Sequence, residues 1–325
     1  MSGNVTANQA ALIKAQVYSN VILESLQEGL LPEGLIRDVS DFGDGETLFI
    51  PVKGETTLRD YVEDTDVKYD PIDTGQVSLS ITEYVTAATY VTRKLRQDSY
   101  AISAIEADIP ADHVRLIKER YESDVLKAHS QAQVAADPNT INGFDHRWVA
   151  NSGTTLGVVT LEDFLYMKLA FDKAHVPEEG RIAIVDSIVE ASLNKAVADQ
   201  AFVNNPQFEG LVGEGFAKSR RFVRNIFGFD VWVSDRCERV AAETINGGPQ
   251  GASTAGTDLV ANVFLSVLDD MTKPVMGAWR QHPITDGEFV KNKQRDEFVT
   301  SSRWGLGAQR LETLGVVLSS QTLYK

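Results

Sequence analysis

A chain of 325 residues with 43% hydrophobic and 24% charged content can bury one large or two modest cores, as ordinary globular proteins do. Its 46 acidic against 31 basic residues give a net charge of −15, which disfavours a broad phosphate-gripping surface and leaves only local or weak contact with nucleic acid. The single cysteine, Cys237, excludes an intrachain disulfide, and no run approaches the roughly 20 apolar residues of a membrane helix. The N-terminus lacks a basic stretch followed by an apolar one, so the chain reads as soluble, unprocessed and assembled in a reducing cytoplasm.

Residues 1 to 36 carry Leu12, Ile13, Val17, Val21, Ile22 and Leu26 at mixed helical spacing and end in a Gly- and Pro-containing break, Gly29 to Gly34. This segment reads either as a helical or partly extended arm or as a first core helix. From Thr47 the period changes to two: Leu48, Ile50 and Val52 alternate with Thr47, Phe49 and Pro51, and Val77, Leu79 and Ile81 alternate with Ser78, Ser80 and Thr82. Two strands are therefore expected. Between them lies TLRDYVEDTDVKYDPIDTG, carboxylate-rich but carrying Leu58, Tyr61, Val62, Val67, Tyr69 and Ile72 as apolar anchors. A hairpin of this composition buries little by itself, so it is expected to rest on a neighbouring subunit.

Tyr84 to Val91 reads as a further strand. Pro110 is expected to open a helix that continues to the residue before Pro138, with Val114, Ile117, Tyr121 and Val125 on one face and Arg115, Lys118, Glu119 and Glu122 on the wet side. At 1.5 Å per residue this helix would be roughly 40 Å long, a spine across a domain. Thr160 with Asp163, and Ser187 with Glu190, resemble capping boxes opening helices at Leu161–Ala174 and Ile188–Ala198. Arg181 to Val185 reads as a buried strand, and Phe229, Val231 and Val233 mark another. Residues 247–257 (GGPQGASTAGT) are the most loop-like. The last 40 residues return to strand signals, with Gly305, Gly307 and Gly315 as punctuation.

Chemistry-bearing patterns are weak. The Gly-rich stretches fit neither GxxxxGK[ST] nor a strand-anchored GxGxxG. The five histidines show no HExxH or paired spacing, and one cysteine cannot supply a zinc cluster, so no metal and no cofactor is expected. Cys237 reads as a small buried apolar residue. The series Asp64, Asp66, Asp70 and Asp73 lacks the Gly and Glu of a calcium loop; it reads as a solvated acidic hairpin, with cation-dependent subunit contacts as the alternative. Lys218, Arg220, Arg221 and Arg224 put four cations within seven residues, readable either as a contact with an acidic neighbour or packaged DNA or as a solvated face. No catalytic residue is expected.

Taken together, the residues resemble the tailed-bacteriophage major capsid proteins of the HK97-like fold. The segment GETLFIPVKGETTLRDYVEDTDVKYDPIDTGQVSLSITEY looks like that family's extended loop, FDKAHVPEEGRIAIVDS its helix, Val-Pro-Glu-Glu-Gly-Arg turn and strand, EGFAKSRRFVRNIFGFDVWVSDR its Gly-Phe-Asp-Val strand, and SSRWGLGAQRLETLGVV its closing strands. The resemblance covers about residues 40 to 320. It implies an α+β fold with an N-terminal arm (1–45), an extended β-hairpin loop (46–85), a peripheral domain (86–154 and 286–325) with a spine helix at about 111–136, and an axial domain (155–285).

The implied function is non-enzymatic: hexamers and pentamers of the chain close into an icosahedral virion capsid around double-stranded DNA, without sequence-specific binding and without a membrane. The shell would form in the host cytoplasm as a procapsid that expands on maturation. Because the sequence starts almost directly with its arm, a separate scaffolding protein is expected, together with a portal protein and room for a decoration protein. Arg59, Asp60, Tyr61, Asp64, Asp66 and Tyr69 of the hairpin, with Lys218, Arg220, Arg221 and Arg224, are the candidate intersubunit contacts. Lys53 and Lys68 lie in the hairpin, but no partner for a cross-link is assigned. The competing readings are the shell of a cellular protein nanocompartment with the same fold and an α+β enzyme with an unrecognised site.

Overall fold

The computed structural model describes residues 31, 34–40, 45, 47–54, 58–64, 66, 68–69, 71, 74–98, 102–132, 135–151, 156–198, 224–254 and 258–322. The expected arm positions Leu12 to Leu26 lie outside them. In chain order the elements begin with β1 (Arg37–Asp38), β2 (Thr47–Lys53), β3 (Thr74–Ser80), β4 (Glu83–Thr92), α1 (Arg93–Asp98) and α2 (Ile102–Ala132). There follow β5 (Thr140–Ile141), β6 (Phe144–Asp145), β7 (Arg147–Val149), α3 (Leu161–Lys173), β8 (Arg181–Val185) and α4 (Ser187–Ala198). The remainder is β9 (Arg224–Ile226), β10 (Phe229–Val233), β11 (Arg239–Val240), β12 (Thr244–Asn246), β13 (Ala252–Thr254), β14 (Leu259–Ser266), β15 (Val275–Val290), β16 (Arg295–Ala308) and β17 (Leu314–Ser320).

Two sheets organise the chain. A four-stranded sheet has the order β1-β15-β16-β4, and a seven-stranded sheet runs β7-β17-β14-β8-β10-β9 with β11 beside β14. Both β14 and β17 are buried along their whole length, so their apolar residues form near-continuous runs (LVANVFLS, LGVVLSS) with no polar alternation. On one side of this sheet Phe164, Met167 and Phe171 of α3 and Val189 and Leu193 of α4 pack on Val185, Val231, Phe264 and Val317. On the other side Leu126 of α2 and Leu31 meet Ile184, Val263, Leu265 and Leu314. One polar residue inside this core, Asn262, is fully employed: it accepts the Asp186 N–H at 2.9 Å and donates to the Val317 carbonyl and the Ser319 hydroxyl.

The spine helix therefore serves two sheets. Its other stripe, Ile117, Tyr121, Val125 and Ala128, packs on Val85, Val275, Trp279, Trp304 and Leu306 of the four-stranded sheet. Its 31 residues span roughly 45 Å at 1.5 Å per residue. The helix starts at Ile102, so Pro110 lies inside it and does not open it at 111. Pro110 deprives the Glu106 carbonyl of its helical donor, and residues 106–110 lie at the surface, where water can replace that bond. The helix also ends at Ala132, short of 136, because Ala136 has turned to φ +64° and donates its N–H to the Glu243 carboxylate.

Capping follows the expectation at α3 and departs from it at α4. The Asp163 carboxylate accepts the Thr160 N–H at 2.8 Å, completing the expected capping box. At α4 the cap is Asp186, one residue earlier than expected, whose carboxylate accepts the Ile188 N–H at 3.2 Å, while Ser187 is already helical. The segment 247–257 is not wholly loop either: Ala252–Thr254 pairs antiparallel with Thr244–Asn246. β15 was not legible as a strand. Its outer half, RQHPITDGEF, is polar, and it carries register shifts between Trp279 and Gln281 and between Gln281 and Ile284, around Pro283.

Candidate assembly surfaces

The β2–β3 hairpin forms in the register implied by its alternation, from Thr47 opposite Ser80 to Lys53 opposite Thr74. Leu48, Ile50, Val77 and Leu79 share one face and pack on Met276 and Ala278. Burial then dies away outward: Leu79 is fully buried, Ile50 half-buried and Val52 exposed. Two glycines permit the hairpin base to cross the four-stranded sheet. A Cβ at Gly305 would collide with the Ser80 carbonyl oxygen and sit 2.8 Å from the Ile81 Cα, and one at Gly307 would meet Leu79 at 3.1 Å. Both lie within β16, so they mark a close approach and not the punctuation expected of them.

Beyond the strands the apolar anchors stand in solvent: Leu58 is 98%, Tyr69 91% and Tyr61 79% exposed, and Val62 is also exposed. Arg59, Asp60, Asp64 and Asp66 are exposed in the same stretch, and Asp64 adopts a left-handed φ of +62° at the turn. Lone exposed apolar residues are common on proteins, whereas here several stand close together in one short segment. The hairpin thus brings six of the candidate contact residues together. Of the basic run, Lys218, Arg220 and Arg221 lie outside the described residues. Arg224 opens β9, which pairs with β10 at the edge of the seven-stranded sheet.

A second charged surface was not read from the sequence because its two halves are remote in the chain. The start of α1 docks on the β15–β16 turn through the Arg93 N–H to the Gln294 carbonyl at 3.0 Å. This joins Arg93, Lys94 and Arg96 to Lys291, Lys293 and Arg295. Arg96 pairs with Glu106 and Asp296, and Arg295 pairs with Glu297 and lies 4.3 Å from the Tyr90 ring centroid. Among the described residues no carboxylate pairs with Arg93, Lys94, Lys291 or Lys293. The only signal in the sequence is two short runs, RKLR and KNKQR, which become a cluster once β4 and β16 pair.

The expected wet side of the spine helix is also partly engaged. Arg236 reaches Glu122 at 3.0 Å and Glu119 at 3.3 Å, while Glu122 accepts the Leu31 N–H at 2.8 Å. Two turns further on, His129 and Glu238 approach to 3.0 Å. The spine helix is thus tied by charge to the loop between β10 and β11 and to the base of the arm. Between α2, β15 and residues 31–38 a groove of about 620 Å³ remains, lined by Leu35, Tyr121, Val125, Trp279 and Pro283 among others.

Several buried carboxyls have pKa values raised by burial. Asp163 is opposed by its bonds to Thr160 and the Trp148 indole, Asp186 by the N–H groups of α4, and Asp124 by Arg120. These groups cap helices or pack against strands, and none is arranged with a nucleophile or a second acid across a cleft. Among the described residues no group of three or more His, Cys, Asp or Glu side chains could hold a metal ion, and no helix is long and apolar enough to cross a membrane. Cys237 is buried in the cluster beneath Leu126.

No protein-family model matches the sequence, and no curated protein does. Solved structures match along nearly the whole chain. The capsid of the Cyanophage P-SCSP1u superposes with a TM-score of 0.69 at 12% identity, covering 99% of this chain and 96% of that one. The bacteriophage PhiM1 mature capsid gives 0.63 at 14% identity, covering 96% and 93%. The Cyanophage Pam1 capsid gives 0.63 at 13% identity, covering 98% of both. With the hairpin, the spine helix between two sheets and the crossing glycines, this chain has the α+β, HK97-like fold of phage capsid subunits.

Proposed function

We propose that the chain is the major capsid protein of a tailed phage, a structural subunit without a catalytic centre that assembles with copies of itself into a closed icosahedral shell of hexamers and pentamers around double-stranded DNA. The observation that carries this reading is the projecting hairpin, anchored at Leu79 and bare at Leu58, Tyr61 and Tyr69, on a fold shared end to end with phage capsids. In such a shell each copy makes several moderate contacts, and stability comes from their number, so that misplaced subunits can leave and rejoin. The net charge of −15 suits an inner wall that does not grip the enclosed polymer.

The partners that go with this reading are a separate scaffolding protein, a portal and, on the outer face, a decoration protein. Assembly takes place in the host cytoplasm before the virion is complete. The candidate contacts are Arg59, Asp60, Tyr61, Asp64, Asp66 and Tyr69 of the hairpin together with Lys218, Arg220, Arg221 and Arg224. The parts are the arm (1–45), hairpin (46–85), peripheral domain and axial domain. Sheet membership favours drawing the last two by strand, with β15 and β16 beside the spine helix and β17 beside β14 in the axial sheet. Expression of the full chain with a candidate scaffold, followed by electron microscopy, tests the proposal. Uniform hollow particles are expected, and a monodisperse monomer or dimer under all conditions would overturn it.

A further inference from the structure

Three segments remote in the chain meet at one side chain of the spine helix. The Glu122 carboxylate accepts the Leu31 N–H at 2.8 Å on one oxygen and the Arg236 guanidinium at 3.0 Å on the other. We infer that Glu122 is a coupling point: release of the chain at Leu31 loosens residues 235–237 of the loop between β10 and β11, and release of that loop loosens Leu31. The coupling belongs to the folded subunit and holds whatever the chain assembles into.

Three observations carry it. The first is that the charges are shared. Glu119 and Glu122 stand one turn apart on the same helix face, where two carboxylates repel each other, and Arg236 lies between them, 3.3 Å from the first and 3.0 Å from the second. Without Arg236 that repulsion is no longer offset. Arg115 holds Glu119 at 3.1 Å, so the effect falls on Glu122 and on the Leu31 N–H that it accepts.

The second is that the arm base keeps the junction dry. Leu31 is buried against Leu126 and Cys237, and the side chains of Arg236 and Glu122 are only 12% and 14% exposed. An ion pair held away from water attracts more strongly than the same pair at a surface. Lifting Leu31 lets water onto Leu126, Cys237 and both charges at once, so the hold on Arg236 weakens together with the arm contact.

The third is that only a short strip can respond. Ser234 donates its N–H to the Val185 carbonyl at 3.0 Å, and the Glu238 carbonyl accepts the Ala261 N–H at 2.9 Å while its carboxylate meets His129 at 3.0 Å. The loop is thus pinned to the seven-stranded sheet at both ends, and residues 235–237 lie between the pins. Opening there is local and needs no unfolding of the sheet. Under the proposed function, a partner that takes up the arm would alter the seat of the seven-stranded sheet on the spine through this one side chain; that consequence, unlike the coupling, rests on the shell reading.

The test is hydrogen exchange of the full chain, followed by mass spectrometry in the peptide containing Leu31 and in the peptide spanning 235–238. Arg236→Gln is expected to speed exchange of the Leu31 peptide about fivefold or more, and Leu31→Ala to speed exchange of the loop peptide by a similar factor, because a coupling free energy acts equally in both directions. The double variant should exceed either single one only slightly. The control is Ile36→Ala, which loosens the arm base where it packs on the four-stranded sheet, away from Glu122, and should leave the loop peptide unchanged.

Exchange that changes only in the segment carrying the substitution overturns the coupling. So does a loop peptide that answers Ile36→Ala as strongly as Leu31→Ala, since the loosening is then general. Melting temperatures identify a variant with a folding defect. Should Arg236→Gln not fold, Arg236→Lys, which keeps the charge but loses the fork between two carboxylates, is read in the same way, and unchanged exchange at Leu31 overturns the coupling there too. Whether the unaltered chain forms particles decides the shell reading and does not enter these readouts.

Discussion

A methyl group added at Gly305 would sit 2.8 Å from the Ile81 Cα and closer still to the Ser80 carbonyl oxygen, both of them backbone atoms that no rotamer can move. The Gly305→Ala variant must therefore push β16 away from the hairpin base, at an expected cost of about 2–3 kcal/mol. This reads as a lower urea midpoint. Gly287→Ala is the control, because a Cβ there meets Phe298 at an ordinary 3.5 Å and the midpoint should hardly move. Asp124 makes a second residue-scale case. Burial raises its pKa against the pull of Arg120, so the folded state holds its proton more tightly than the unfolded chain does. The stability this gives is fully present below the unfolded pKa and is lost as pH rises through the folded one. Asp124→Asn should therefore gain stability relative to the unaltered chain between acid and neutral pH, seen by comparing unfolding midpoints at the two ends. A constant difference would rule the effect out. Sequence alone gave little warning of either site: a glycine in a strand looks like a break, and the burial of Asp124 depends on strands remote in the chain.

At the scale of elements, alternation with period two located β2 and β3 because the base of each has one face packed and one exposed, the condition under which that signal exists. β15 carries no such signal over its polar outer half, and Pro110 misplaced the start of α2 because proline at an exposed turn of a helix is tolerable. The acidic insert between β2 and β3 was legible for the opposite reason, a composition that cannot bury itself. Deleting residues 54–74 removes this projecting part while sparing the packed base at Leu48 and Leu79. The shortened chain should keep its circular dichroism spectrum and most of its melting temperature yet lose particle formation. Normal closed shells from the deletion would defeat the proposed role of the hairpin.

For the whole molecule, the succession of the β2–β3 hairpin, the spine helix, α3, β8, α4 and β10 could be read in advance. Which strand joins which sheet could not. Residues 275–290 join the sheet beside β16, and 314–320 cross back to pair with β14, because hydrogen-bond pairing between remote segments leaves no trace in local periodicity. The same limit hid the six-cation cluster, whose halves meet only after β4 pairs with β16. At this scale the particles proposed above should appear over a narrow range of subunit concentration, as expected when many weak contacts form together.

The placement of β17 has a consequence for the order in which the molecule is made. It lies between β7 and β14, and among the described residues β7, which ends at Val149, has its one ladder partner in β17, which begins at Leu314. A ribosome that has synthesised the spine helix, α3, β8 and β14 has therefore still not released the strand that fills the gap. Until it does, Trp148 and Val149 have no sheet to join, and the nascent chain holds an open apolar slot beside β14. Completion of the larger sheet thus waits for residues 314–320, and under the proposed function a subunit that still lacks them has no finished surface to add to a shell.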